Sequence, residues 1–224
     1  METKDIISKI GTYWDDYATK FDEEHDTEDI EAWAAAFKSC LDAPGPSTVL
    51  DLGTGTGFLA NMAAAMGHFC VGLDISEKMI GMAANKSASI GAKAVYMLGD
   101  IMGLPFAGNA FDYIVNSRLL WTLVEPLQTI THWVSIVRPG GKIICFNRFK
   151  EGLGMCGGKG IYGNQYVDQA TPLANSTSSG CLLRLFSDAG LVNVEFRRLP
   201  NLAKATRAER LDPWHALIGA KPMG

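Results

Sequence analysis

Residues 49–57 read Val-Leu-Asp-Leu-Gly-Thr-Gly-Thr-Gly, an apolar run carrying Asp51 and closing in three alternate glycines. Glycine lets a chain turn tightly and approach a ligand more closely than any Cβ permits, and a helix starting just beyond directs its free N–H groups at whatever the turn holds. Gly53, Thr54, Gly55 and Gly57 therefore read as the cradle of a nucleoside-like ligand. A dinucleotide fingerprint runs G-x-G-x-x-G, and Phe58 stands where its third glycine would be, which speaks against NAD. A triphosphate-binding loop needs Gly-Lys followed by Ser or Thr, whereas Gly141-Lys142 and Gly158-Lys159 are followed by Ile143 and Gly160.

Further along, Asp74 in Val-Gly-Leu-Asp-Ile-Ser ends a second apolar run, where a carboxylate can accept two hydrogen bonds from vicinal ribose hydroxyls. Ile75 and Met79 offer apolar walls for a flat heterocycle such as adenine. The acid-x-G-x-G-x-G pattern, Asp74, the Leu-Gly-Asp-Ile-Met stretch around Asp100, the Phe111-Asp112 approach to a strand and the Arg138-Pro-Gly-Gly turn follow in order over residues 49–141. Together they resemble the class I S-adenosylmethionine-dependent methyltransferases, in particular the small-molecule, ubiquinone/menaquinone-biosynthesis-like group. The resemblance covers residues 10–150 and the rest in outline. It implies S-adenosyl-L-methionine as cofactor and S-adenosyl-L-homocysteine as product. It also implies that Asp51 attracts the methionyl ammonium, directly or through water, that Asp100 accepts a hydrogen bond from the adenine amine beside Ile101, and that Asn116 joins the cofactor set. Phe106, Phe111 and Asp112 are assigned to packing.

Methyl transfer from a sulfonium is a displacement at carbon, so the protein chiefly aligns the reactants and excludes water, and a dedicated catalytic residue is not required. For an acceptor that must lose a proton, Tyr17 and His25 are the candidate bases. On the acceptor side, Arg118 and Trp121 follow the fourth strand, where Arg118 can pair either with a substrate carboxylate or phosphate or with a neighbouring acid. The leader Tyr13-Trp-Asp-Asp-Tyr resembles the aromatic segment that folds over cofactor in small-molecule methyltransferases, and Tyr13 and Tyr17, four apart, share a helix face on which they can touch the sulfonium, the acceptor or simply the core.

The elements that must position these residues follow from periodicity. Trp33, Phe37 and Leu41 recur at fours in a two-helix segment ending at Pro44. Strand-like runs at 48–52, 69–73, 94–98, 112–116 and 142–146 then alternate with helices starting near 57, 76 and 126. The prediction is an α/β fold: a doubly wound, Rossmann-like, seven-stranded, mostly parallel sheet with a C-terminal antiparallel hairpin, under an N-terminal helical lid. One domain spans 1–224, with the lid at 1–41, the cofactor-binding core at 47–148, an acceptor-side loop at 149–175, and the last helix and hairpin at 176–224. Six glycines between 152 and 163 make that loop read as mobile and aperiodic.

Composition bounds the partners. With 20 basic and 24 acidic residues and no long run of like charge, a small-molecule acceptor is expected and nucleic acid is not. The N-terminus lacks a signal-peptide pattern and no apolar run is long enough to span a membrane, so a soluble cytoplasmic protein, monomeric or homodimeric, is expected. Five cysteines without a C-x-x-C pair and four histidines without H-x-x-x-H spacing give no support for a disulfide framework or a metal site. Four other readings stay open: a protein that binds S-adenosylmethionine or S-adenosylhomocysteine without turnover, a methyltransferase for RNA or protein, a metalloid methyltransferase using the Cys156 and Cys181 thiols, and a NAD-dependent reductase.

Overall fold

The computed structural model describes residues 2–25, 28–42, 45–155, 160–202 and 213–224. Two helices, α1 (Thr3–His25) and α2 (Ile30–Leu41), lead into alternating strands and helices: β1 (Thr48–Leu52), α3 (Phe58–Ala65), β2 (Phe69–Asp74), α4 (Glu77–Ser89), β3 (Val95–Leu98), β4 (Phe111–Ser117), α5 (Pro126–Ile136) and β5 (Val137–Lys150). A short strand β6 (Gly154–Met155), helices α6 (Gln165–Ala170) and α7 (Ser179–Asp188), and strands β7 (Val192–Arg198) and β8 (Trp214–Ala220) complete the chain.

The main sheet runs β3-β2-β1-β4-β5-β8-β7, with β6 paired to β5 as an eighth strand. Pairings from β3 through β5 are parallel, and β8 lies antiparallel to both β5 and β7. This is the doubly wound sheet with the closing hairpin that the sequence predicts. Alternate residues of the central strands feed two cores, as strand geometry requires. Val49, Val115, Ile144 and Phe146 pack under α2 and α3, while Leu50, Leu52, Ile114 and Ile143 face α5 and α7. β1 has β2 on one side and β4 on the other, so the strand order reverses beside it and leaves a crevice beyond the carboxyl ends of the strands.

Caps set the helix starts. Asp29 accepts from Ala32 N at 2.9 Å to open α2, and Ser76 accepts from Met79 N at 3.1 Å to open α4. Trp33 and Phe37 are fully buried, with Leu41 nearly so, as their fourfold spacing predicts.

The 149–175 segment differs from its prediction as an aperiodic loop. Within its described residues it holds β6, α6 and a 3-10 turn at Pro172–Asn175, and Val167 packs on Ile6 and Ile10 of α1. Asn164 caps α6, accepting from Tyr166 N at 3.1 Å and Val167 N at 3.4 Å. Six helical residues are too few to display a period, and their order comes from contact with α1, which is remote in sequence. Cys156 lies outside the described residues.

Asp112 joins β1, β4 and β5. Its Oδ2 accepts from Thr48 N at 2.7 Å and Thr48 Oγ1 at 2.8 Å, and its carboxylate pairs with Arg138. Asp112→Ala strips a buried backbone N–H of its acceptor and is expected to lower unfolding free energy by about 2–3 kcal/mol. Asp112→Asn, which retains an oxygen for Thr48, should cost less. Equal urea-unfolding losses for the two variants would contradict that role for the carboxylate.

Candidate functional site

The carboxyl ends of β1, β2 and β4 and the inner face of α1 enclose a cavity of about 370 Å³. One wall consists of Gly53 and Gly55, Asp74 and Ile75, Met79, and Asp100 through Met102. The facing wall carries Trp14, Tyr17, Phe21 and His25 from α1, with Arg118 and Trp121 from the segment after β4.

The glycine turn depends on missing side chains at identifiable places. Gly53 and Gly55 have φ of 61° and 55°, a left-handed backbone that strains other residues. A Cβ on Gly53 would lie 2.5 Å from a Leu119 methyl, and one on Gly57 would lie 2.6 Å from the Tyr96 hydroxyl. Gly57 therefore serves packing at the start of α3, and together with Thr54 it does not line the cavity.

Asp51 stands behind the turn rather than on the cavity wall. It is 1 % exposed and does not line the cavity, because its Oδ2 accepts from Thr54 Oγ1 at 2.7 Å and Ala60 N at 3.0 Å. The carboxylate holds the turn's shape, clasping it to the first turn of α3. Burial pushes its pKa up to about 7 against the opposing pull of its two donors.

Asp74 does face the cavity. Its two oxygens accept from Gly55 N at 2.8 Å and Ser76 N at 3.0 Å, so the turn and the start of α4 fix the carboxylate. Each oxygen retains a lone pair for a diol. Asp100 is fixed similarly by Met102 N at 2.9 Å, and the neighbouring Ile101 carbonyl accepts from Trp133 Nε1 at 3.0 Å. A left-handed glycine turn, a braced acid beside it and an apolar slot formed by Ile75, Met79, Ile101 and Met102 fit the chemistry of a nucleoside with a charged tail.

Asn116 is set back from the wall as well. It is fully buried under the sheet end, its Nδ2 donates to Cys145 Sγ at 3.1 Å, and it does not line the cavity. Tyr13 lies outside the cavity, its ring stacked on Tyr17 at 5.6 Å and edge-on to Tyr162 at 5.1 Å. Tyr17 does reach the cavity, but its hydroxyl donates to Glu24 at 2.7 Å and its pKa is pushed up to about 12, chiefly by burial, which makes it a poor base. Arg118 lines the cavity but pairs with Glu28, the neighbouring-acid alternative, and does not stand free for a substrate.

His25 stacks on Phe21 at 4.1 Å, with Nδ1 2.6 Å from the Phe21 carbonyl. A carbonyl only accepts, so Nδ1 carries the proton. Burial, aided by Arg118, lowers the imidazole pKa and leaves Nε2 with a bare lone pair at neutral pH.

Sequence reasoning missed Trp14, Phe21, Leu119, Asn147, Arg148 and Ile161 on the cavity wall. The stripe Ile7, Ile10, Trp14, Tyr17 and Phe21, at alternating threes and fours, was the available signal for the α1 face. Asp15 was missed too: it accepts from Ser76 Oγ at 2.6 Å and Lys78 N at 3.1 Å, capping α4 from α1. Its pKa is lowered, first by the Ser76 bond.

The pKa of Asp51 carries a test. A buried acid whose folded pKa is about 7 against 3.8 binds its proton more readily folded than unfolded, so its contribution to stability falls as pH rises between those values. Asp51→Asn removes that dependence. Relative to the unsubstituted protein, its melting temperature should rise progressively from pH 4 to pH 7 by several degrees, on the order of a kcal/mol or more. A pH-independent difference in differential scanning calorimetry would rule out the buried, proton-binding state.

Comparison with known proteins agrees with this geometry. Residues 50–145 match the methyltransferase domain profile. The chain is 33% identical over 119 residues to a demethylmenaquinone methyltransferase of Bacillus cereus, an alignment covering 51% of this chain and 50% of that protein, so the chain spans about half the length of this relative. Among solved structures, the [4+2]-cyclase SpnF superposes with a TM-score of 0.67 at 19% identity, covering 86% of this chain and 80% of that one. A Haemonchus contortus phosphoethanolamine N-methyltransferase 2, in complex with phosphomonomethylethanolamine and S-adenosylhomocysteine, superposes with a TM-score of 0.65 at 16% identity, covering 85% and 52%. The structural likenesses speak for the fold, and the profile match falls on the segment bearing the glycine turn, Asp74 and Asp100. With that turn, those acids and that sheet order, the chain is similar over residues 50–145 to the methyltransferase domain of S-adenosylmethionine-dependent methyltransferases, and its fold is theirs.

Proposed function

We propose that this chain transfers a methyl group from S-adenosylmethionine to a small-molecule acceptor by in-line displacement. One observation carries the reading: a single cavity has a nucleoside-fitting wall, with Gly53, Gly55, Asp74 and Asp100, facing an aromatic wall from α1. Both the relative of known name and the N-methyltransferase neighbour are named for small acceptors, which supports the same class. The roof formed by α1 favours a molecule that fits beneath it over a folded macromolecule.

Bound there, the cofactor supplies an electrophilic methyl on sulfur and a thioether leaving group that keeps the bonding electron pair. The chain's own residues do the rest. Gly53 and Gly55 admit the ligand close to backbone, Asp74 orients a ribose, and Asp100 with Ile75, Met79 and Ile101 receives an adenine. Trp14, Tyr17 and Phe21 exclude water from the path between nucleophile and methyl. His25 Nε2 takes the proton when the acceptor must lose one.

Calorimetric titration with S-adenosylmethionine and S-adenosylhomocysteine, with NADH as control, tests the cofactor. Micromolar binding of the first two supports the proposal, and selective NADH binding refutes it. Asp74→Ala removes a charge-assisted partner of the ribose and should weaken S-adenosylhomocysteine by about 1.5–3 kcal/mol, roughly tenfold to over a hundredfold. Unchanged affinity would show that Asp74 does not hold the cofactor.

Turnover tests His25. The depressed pKa leaves His25 neutral above 6.5, so kcat/KM should be flat there and should fall as pH drops through the imidazole pKa below it. His25→Gln should lose about 100-fold in rate and remove that acidic limb. If the variant keeps the limb, another group is titrating.

A further inference from the structure

The ends of β4 and β5 bring two arginines to the cavity wall, and their circumstances differ. Arg118 has φ of 60°, its N–H donates to Phe146 O at 2.9 Å, and its guanidinium lies 4.5 Å from the Trp214 ring centroid. Its Nη1 donates to Ser117 Oγ at 3.2 Å, and it pairs with Glu28, whose side chain is only 5% exposed. Arg118 is thus neutralised in place.

Arg148 is not. It lines the same cavity, two positions beyond Phe146 on β5, and close enough for the two cations to oppose each other's charge. Its Nη2 is buried and has no hydrogen-bond partner among the described residues, and Oδ1 of the preceding residue, Asn147, which also lines the cavity, is likewise buried and unpartnered among them. A sequestered guanidinium N–H without an acceptor is costly, and a ligand oxygen is what would satisfy it. Apolar side chains, Ile10, Trp14, Trp121, Leu123 and Ile161, share the wall with the polar Glu24, His25, Ser117 and Thr122.

We propose that Arg148 is the specificity residue of the acceptor subsite, and that the acceptor is an apolar or aromatic molecule bearing a carboxylate or phosphate that receives the Arg148 Nη2 hydrogen bond. Asn147 Oδ1 accepts from a donor on the same molecule. This rests on the methyl-transfer reading above.

The test titrates protein saturated with S-adenosylhomocysteine with naphthoate, naphthyl phosphate and the uncharged naphthamide. At least one anion is expected to bind about tenfold or more tightly than the amide, and the tighter anion identifies the group recognised. Arg148→Gln should abolish that preference and Arg148→Lys, which keeps the charge, should retain part of it. Both variants should bind S-adenosylhomocysteine within about twofold of the unsubstituted protein, which also shows that they fold.

Equal binding of all three probes overturns the proposal, and so does a preference that survives Arg148→Gln. A tenfold loss of S-adenosylhomocysteine affinity in Arg148→Gln, with no loss in Arg148→Lys, would instead assign the guanidinium to the cofactor's own carboxylate. Normal S-adenosylhomocysteine binding without anion preference removes only the acceptor assignment. Anion binding by a protein that does not bind S-adenosylhomocysteine would end the methyl-transfer reading and the acceptor assignment with it.

Discussion

The molecule turns on one buried carboxylate. Asp51 ends the useful length of β1 and, through Thr54 Oγ1 and Ala60 N, ties the strand to both the glycine turn and the helix that follows. That clasp acts with the backbone bonds of Thr54 N to Leu73 O and Gly57 N to Thr54 O to hold two glycines in left-handed backbone, which matters because glycine is the residue with most conformational freedom to lose. Asp74 then depends on the turn, because Gly55 N is one of its two backbone donors. The geometry of the nucleoside-fitting wall thus passes from an acid buried behind the turn to an acid that faces the cavity.

The cavity separates its chemistry between the ends of different strands. Carboxylates at the ends of β2 and β3 lie along the wall suited to a cationic nucleoside, while arginines gather at the ends of β4 and β5. The aromatic rings come from α1, which precedes the sheet in the chain. A doubly wound sheet permits this because every parallel strand delivers its carboxyl end to the same edge.

Much of this was legible in the sequence. The strands were readable because buried parallel strands are uninterrupted apolar runs; Asp74, Ile75, Asp100 and Ile101 fall at or just after strand ends, and Met79 falls in the first turn of α4. Asp51 and Asn116 show the limit of that reasoning. Their positions are at strand ends, but a polar side chain there can turn inward to satisfy its neighbours, and sequence does not show which neighbours await it. Tyr13 was misassigned through choosing one pair at a spacing of four where the longer stripe through Trp14 and Phe21 defines the inner face. Of the two pairings open to Arg118 the neighbouring acid is the one found, and the sequence did not single out Glu28 because it lies ninety residues earlier, between α1 and α2. α6 was invisible because a helix of six residues gains its order from α1 rather than from its own pattern.

Asp15 gives α1 a second character. Its carboxylate receives Ser76 Oγ and Lys78 N, so the roof of the cavity is fastened to the same turn that carries Asp74. Lifting the roof removes Asp15 from the first turn of α4 and loosens the support of the cavity-facing acid in a single event. A molecule under the aromatic face and one on the nucleoside wall therefore draw on a common free energy of closure. By thermodynamic reciprocity, whatever factor the first lends to the affinity of the second is returned in full.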